Sequence, residues 1–182
     1  GLNRTGDAAL RNYDGISIEA SSKNNIVGGY TDAERNYIAG NVAYGILIMG
    51  AGSYYNITVG NYVGTDISGT LAIPNTYGLC FDDGANYNTV GGRKPGAGNL
   101  FSGNTGYGVF LYNFGTEKDS IIGNLIGTDR TGTLPLPNSH GIVIDGPSFK
   151  HYIDSNIISS NLQMGIIIHL AGSDSNIITR NK

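Results

Sequence analysis

Asp82, Tyr112, Asp145 and His169 are the residues whose types and spacing could support catalysis. Each stands four places after a glycine that opens a short apolar segment: Gly78, Gly108, Gly141 and Gly165. If those segments stack in register, the four side chains form one outward file, which Glu19 and Met49 continue. Parallel strands lie about 4.8 Å apart, so Asp82 and Asp145, two segments apart, would be separated by about 9.6 Å. Carboxylates about 6.5–9.5 Å apart leave room for the water that inverting glycoside hydrolysis needs. His169 would stand about 4.8 Å beyond Asp145, and Tyr112 could stack on a sugar between the acids. The plainer interpretation is that outward positions are polar and two of six carry Asp. We adopt it and assign no catalytic set, keeping Asp82, Asp145 and His169 as the alternative.

Two neighbouring files could carry recognition rather than catalysis. Just before each glycine come Asp14, Tyr44, Tyr77, Tyr107, His140 and Met164, and two places after it come Ser17, Leu47, Cys80, Phe110, Val143 and Ile167. If both face outward, Leu47, Phe110, Val143 and Ile167 form an apolar stripe edged by tyrosines, suited to a partner chain or a polysaccharide. The competing expectation is that the rings stack at a corner and loops cover the stripe. Neither metal nor cofactor is expected. Asp66 and Asp129 each bring one carboxylate to a Gly-Thr-Asp loop, where calcium wants six to eight oxygens, and bonding to their own turns explains them better. His140, His151 and His169 fall on three different files.

What must position these residues is a repeat. Gly64-Thr-Asp-Ile-Ser-Gly-Thr-Leu-Ala-Ile-Pro-Asn-Thr-Tyr-Gly returns 63 places later from Gly127, and a worn copy begins at Gly1. Each unit splits into two coils, so Gly15-Ile-Ser-Ile, Gly45-Ile-Leu-Ile, Gly78-Leu-Cys-Phe, Gly108-Val-Phe-Leu, Gly141-Ile-Val-Ile and Gly165-Ile-Ile-Ile are six versions of one strand. Internal periodicity on this scale means stacked units. Density of Gly and β-branched runs exclude a helical bundle. Because each strand meets its copy about one coil later, the pairing is parallel, with interior files such as Ile16, Ile46, Leu79, Val109, Ile142 and Ile166. Asn36, Asn61, Asn99, Asn124, Asn156 and Asn181 recur at one corner, and Asn41, Asn104 and Asn161 at another, where stacked amides can satisfy turn backbone.

Bulk composition bounds the rest. The 182 residues fit one domain, residues 1–182, built of units starting at Gly1, Gly64 and Gly127. Hydrophobic content of 40% with only 14% charge argues against disorder, and a net charge of −3 without a basic run argues against nucleic acid. No apolar stretch approaches the roughly 20 residues of a membrane-spanning helix. The single Cys80 excludes an internal disulfide. Both ends fall inside the repeat, so we expect a piece of a longer protein or a unit that stacks end to end.

The stretch Asn124-Leu125-Ile126-Gly127-Thr128-Asp129 through Ile144 resembles the right-handed parallel β-helix proteins of the pectate-lyase-like superfamily, in particular the long repeat class of large secreted bacterial proteins. That resemblance covers nearly the whole chain and implies an all-β, single-stranded parallel β-helix of about six coils and three sheets. It also implies an extracellular or cell-surface bacterial setting. Activity is not implied, since superfamily members include lyases, hydrolases, epimerases and adhesins. Asp82-Asp83 and Ser139-His140-Gly141 imitate polygalacturonase-like motifs, but no Arg-Ile-Lys is present, and the outer file holds no Arg to serve as a lyase base. The expected function is a non-catalytic module for surface structure, adhesion or glycan binding, with Tyr112, Tyr44, Tyr77 and Tyr107 touching the sugar. The alternative is a polysaccharide-acting hydrolase or lyase. Expected partners are a polysaccharide and lateral or end-to-end protein contacts.

Overall fold

A computed structural model describes residues 1–182 and shows a parallel β-helix. The first sheet stacks Ile16–Ile18, Tyr44–Met49, Tyr77–Asp82, Tyr107–Tyr112, His140–Asp145 and Ile166–Ile168. A second stacks Ile26–Gly28, Ile57–Val59, Thr89–Gly91, Ser120–Ile122, Tyr152–Asp154 and Ile177–Thr179, and a third the shorter Tyr37–Ile38, Tyr62–Val63, Leu100–Phe101, Leu125–Ile126 and Ile157–Ile158. Every strand pairs in parallel with its copy in the next coil: Ile46 with Leu79, Leu79 with Val109, Val109 with Ile142. The only helical turn is a three-residue 3-10 segment, Asp32–Glu34, at a corner of the first coil.

Period-two alternation builds the interior. Ile46, Ile48, Leu79, Phe81, Val109, Leu111, Ile142 and Ile144 are fully buried and meet Val90, Ile121 and Ile153 from the second sheet and Val63, Phe101 and Ile126 from the third. Full burial of such a side chain contributes about 1.5–3 kcal/mol, and stacking repeats it in every coil. The glycines that open the first five of these segments, Gly15, Gly45, Gly78, Gly108 and Gly141, are required by space. A Cβ on Gly45 would lie 2.6 Å from the Gly78 carbonyl oxygen of the next coil.

Corner backbone is satisfied by three side-chain ladders. In the Asn36 file, each backbone N–H and Nδ2 donates to the Oδ1 one coil on; from Asn61 to Asn99 these distances are 2.9 and 3.0 Å. The Asn41 file includes Asn75 and Asn138 as well as Asn104 and Asn161, two members that the sequence expectation left out. A third runs Asn25, Asn56, Asn88, Asp119, His151, Asn176, with an acid and an imidazole in place of two amides. The Gly-Thr-Asp loops close on themselves: Asp66 Oδ1 accepts from the Thr70 and Leu71 N–H groups, and Asp129 Oδ1 from those of Thr133 and Leu134. In the worn first copy Asn3 plays this part, accepting from Asp7 and Ala8.

Candidate functional site

The outer face of the first sheet carries all three files. Its tyrosine edge is continuous. Ring centroids are 5.4 Å apart from Tyr44 to Tyr77, 5.2 Å from Tyr77 to Tyr107, and 5.1 Å from Tyr107 to His140. Phe110 reaches across to Tyr77 and Tyr107 at 5.7 and 5.0 Å and stacks on Tyr112 at 4.9 Å. Parallel in-register pairing produces this, because identical positions repeat at strand spacing and offset-stacked or edge-to-face rings fit it. Burial, with Cys80 and Asp82 nearby, pushes the Tyr44 phenol up to about 12, so this ring stays a neutral phenol at physiological pH.

The apolar stripe differs from expectation. Leu47, Phe110, Val143 and Ile167 do line up in register, but Leu47 is 6% and Val143 4% exposed, and Cys80 between them is fully buried. None of the three belongs to the interior cluster. With these side chains buried, the half-buried aromatic rings form the outward surface of this face. Phe110 is its half-exposed centre.

At the opposite edge, Met49, Asp82, Tyr112, Asp145 and His169 share one file. Asp145 and His169 come together, Oδ1 lying 3.4 Å from Nδ1. Asp82 lies one coil before Tyr112 and Asp145 one coil after, so the two acids do not touch. Burial raises the Asp82 carboxyl above the usual carboxylate range, against the bonds that Asn113 Nδ2 (2.9 Å) and the Asp83 N–H (2.7 Å) donate to it. Asn113 joins this edge unforeseen, from the loop that follows Tyr112. No cavity forms over the file. The surface depression of this chain, about 270 Å³, is elsewhere, lined by Tyr54, Tyr55, Asn86 and Tyr87.

Two further clusters of titratable groups hold the fold together. Asp119 and His151 are both fully buried, with Asp119 Oδ2 and His151 Nδ1 3.6 Å apart. Burial pushes His151 down to about 3 and Asp119 well up, so both are neutral and the contact is no ion pair. His151 Nδ1 accepts from the Asp119 N–H at 3.2 Å, which leaves its Nε2–H to donate to Ser148 Oγ at 2.8 Å. On the second sheet the buried Asp154 carboxylate binds Arg180 Nε at 2.7 Å and Arg93 Nη2 from the Gly91–Gly98 insert. No three His, Cys, Asp or Glu side chains converge as a metal centre would require.

Comparison with known proteins gives one family. The family described as "Periplasmic copper-binding protein (NosD)" matches residues 2–182. No curated protein and no solved structure matches the chain.

Proposed function

The chain belongs to the NosD family, and from that premise we propose that it is a non-catalytic β-helix module working outside the cytoplasm, whose first-sheet face docks an extended polysaccharide. One observation carries this: the Tyr44–Tyr77–Tyr107 edge with Phe110 and Tyr112 is an unbroken aromatic floor along the helix axis. A polymer of pyranose rings can lie along such a floor, each ring presenting a C–H face to an aromatic ring and its hydroxyls to the Asp82, Asp145 and His169 edge. Openness of the face suits a long polymer better than a small substrate, which would be enclosed. No helix is long and apolar enough to cross a membrane.

Copper, which the family description names, does not fit the donors of this chain. Cys80 is fully buried, and both ring nitrogens of His151 are engaged. His140 and the partner of His169, Asp145, stand at opposite ends of one strand, five residues or roughly 16 Å apart. Met164 continues the His140 file one coil on, which makes a pair of soft donors rather than a set.

A second function, polysaccharide hydrolysis, draws on the Asp145–His169 contact and the raised Asp82 carboxyl. One experiment separates the two. Binding to insoluble and soluble polysaccharides, with reducing-end release from uronate polymers followed in parallel, should show retention without cleavage. Tyr77→Ala and Tyr107→Ala should each weaken retention roughly tenfold, the value of one lost aromatic contact of about 1.4 kcal/mol. Cleavage abolished by Asp145→Asn would replace the binding module by the enzyme. Retention indifferent to both tyrosines would remove the floor from the argument.

A further inference from the structure

The corner between the first and second sheets holds a file of residues that all adopt left-handed backbone: Asn24, Tyr55, Tyr87, Lys118, Lys150 and Ser175, with φ between 54° and 60°. Such a conformation is cheap for asparagine and costly for tyrosine. Two successive coils nonetheless place tyrosine there, and both rings stand in solvent, Tyr55 54% and Tyr87 43% exposed. Strained, exposed aromatics point to a role outside folding.

Their surroundings form a site. Tyr54 meets Tyr55 edge-on at 5.0 Å, Tyr55 lies 5.8 Å from Tyr87, and with Asn86 these rings line the depression of about 270 Å³. Asn86 Nδ2 donates to the Gly84 carbonyl at 3.0 Å, while its Oδ1 accepts nothing. Lys23 Nζ contacts the Tyr54 hydroxyl at 3.1 Å at one rim, and at the other Lys118 Nζ, paired with Glu117 Oε1 at 2.7 Å, lies 4.8 Å from the Tyr87 ring centre and must exchange that partner for a ligand's oxygen.

We propose that this corner is a second carbohydrate site, separate from the sheet face, which seats a single pyranose unit on Tyr55 and Tyr87 with Asn86 and the two lysines on its hydroxyl or carboxylate rim. Apolar ring faces bounded by an amide acceptor and two cations match the alternation of C–H face and polar edge in a sugar. A proline-rich peptide also docks on tyrosines, but it needs a groove several residues long, and this depression is short.

The test uses the full chain and a local readout, the ring resonances of Tyr54, Tyr55 and Tyr87 by NMR, which sugar on the sheet face leaves unmoved. Probes are a neutral cello-oligosaccharide, an oligogalacturonate and a polyproline peptide. A saccharide should shift these resonances, and Tyr55→Asn and Tyr87→Asn should each weaken that response roughly tenfold or more. Asparagine suits the left-handed backbone, so both variants should melt no lower than the parent, and lost binding then cannot be lost fold. A salt-sensitive preference for galacturonate supports the site and assigns the lysines to a carboxylate; equal response to both sugars supports it through the rings alone. The proposal is overturned if neither saccharide moves the resonances, if only the peptide does, or if the asparagine variants bind like the parent.

Discussion

At the scale of single residues, the most consequential side chains are the two that interrupt an amide ladder. Asp119 Oδ1 accepts from the backbone and side chain of Asn88, but its Oδ2 is buried with no partner. An unfolded histidine takes a proton near pH 6.5, the folded His151 only near 3, so its stabilisation is lost as pH falls through that interval. Asp119 has the opposite sign. Burial holds its carboxyl protonated, folding takes up a proton, and stability falls as pH rises above about 4. Where the two intervals overlap, above about pH 4, the two slopes, each up to about 1.4 kcal/mol per pH unit, oppose one another. Asp119→Asn should remove one of them and replace the buried titratable carboxyl by a neutral amide of the same shape, keeping the Oδ1 that Asn88 donates to. Expected is a gain of about 1–3 kcal/mol at pH 7.5, with a new loss of stability on acidification from pH 6.5. Urea unfolding at pH 4.5, 6 and 7.5 measures both; a variant no more stable at pH 7.5, or flat below 6.5, contradicts the neutral pair. The sequence expectation named neither Asn25, Asn56 and Asn88 nor Asp119 and His151 as rungs of a ladder. Rungs are defined by spacing alone once the residue type changes.

At the scale of elements, strands were legible because each carries its own alternation and its own glycine, and their register followed from repetition. The Gly-rich stretch Gly91–Gly98 has no counterpart in the third unit, and sequence shows it only as extra length. Its work is done by Arg93, which reaches across two coils to Asp154, 61 positions later, a pairing no period announces. Arg180 completes the clasp, its Nη2 meeting the Tyr152 hydroxyl at 2.9 Å. The Arg180 bond, ahead of all other causes, holds the Asp154 carboxyl below the usual carboxylate range. A depressed acid stabilises the fold above its unfolded pKa and ceases to do so as pH falls through the folded value. Asp154→Ala should therefore lower the melting temperature at neutral pH, and the deficit should shrink below about pH 4. Arg93→Ala should cost less, since Arg180 remains. Hydrogen exchange should quicken in Ile177–Thr179 for Asp154→Ala while Tyr44–Met49 stays protected; uniform loss would mean that the clasp is not local.

At the scale of the whole molecule, nearly everything rests on one repeat, and repeats can be subtracted. Apart from the Arg93–Asp154 clasp, each coil is paired with its neighbours, so stability sums over interfaces rather than residing in one centre. Removing residues 64–126 would join Val63 to Gly127, the same point of the next unit. The first sheet would then pair Tyr44–Met49 with His140–Asp145, setting Ile46 against Ile142 and Ile48 against Ile144, aliphatic against aliphatic. Ladders would reconnect too: Asn61 would meet Asn156, Asn41 would meet Asn138, and Asn56 would donate to His151 with the Asp119 orphan gone. The shortened chain should keep its β signature, melt lower than the parent, and lose about 9.6 Å of length by small-angle scattering, two strand spacings. Removing residues 64–123 instead leaves Asn124-Leu125-Ile126 directly after Val63, three surplus residues that set two copies of the third-sheet strand in competition for one place and that the corner must bulge to absorb. That second variant should melt lower than the first. Comparable behaviour of the two deletions would mean that files along the axis do not govern this fold, and the aromatic floor, which exists only through those files, would lose its cause.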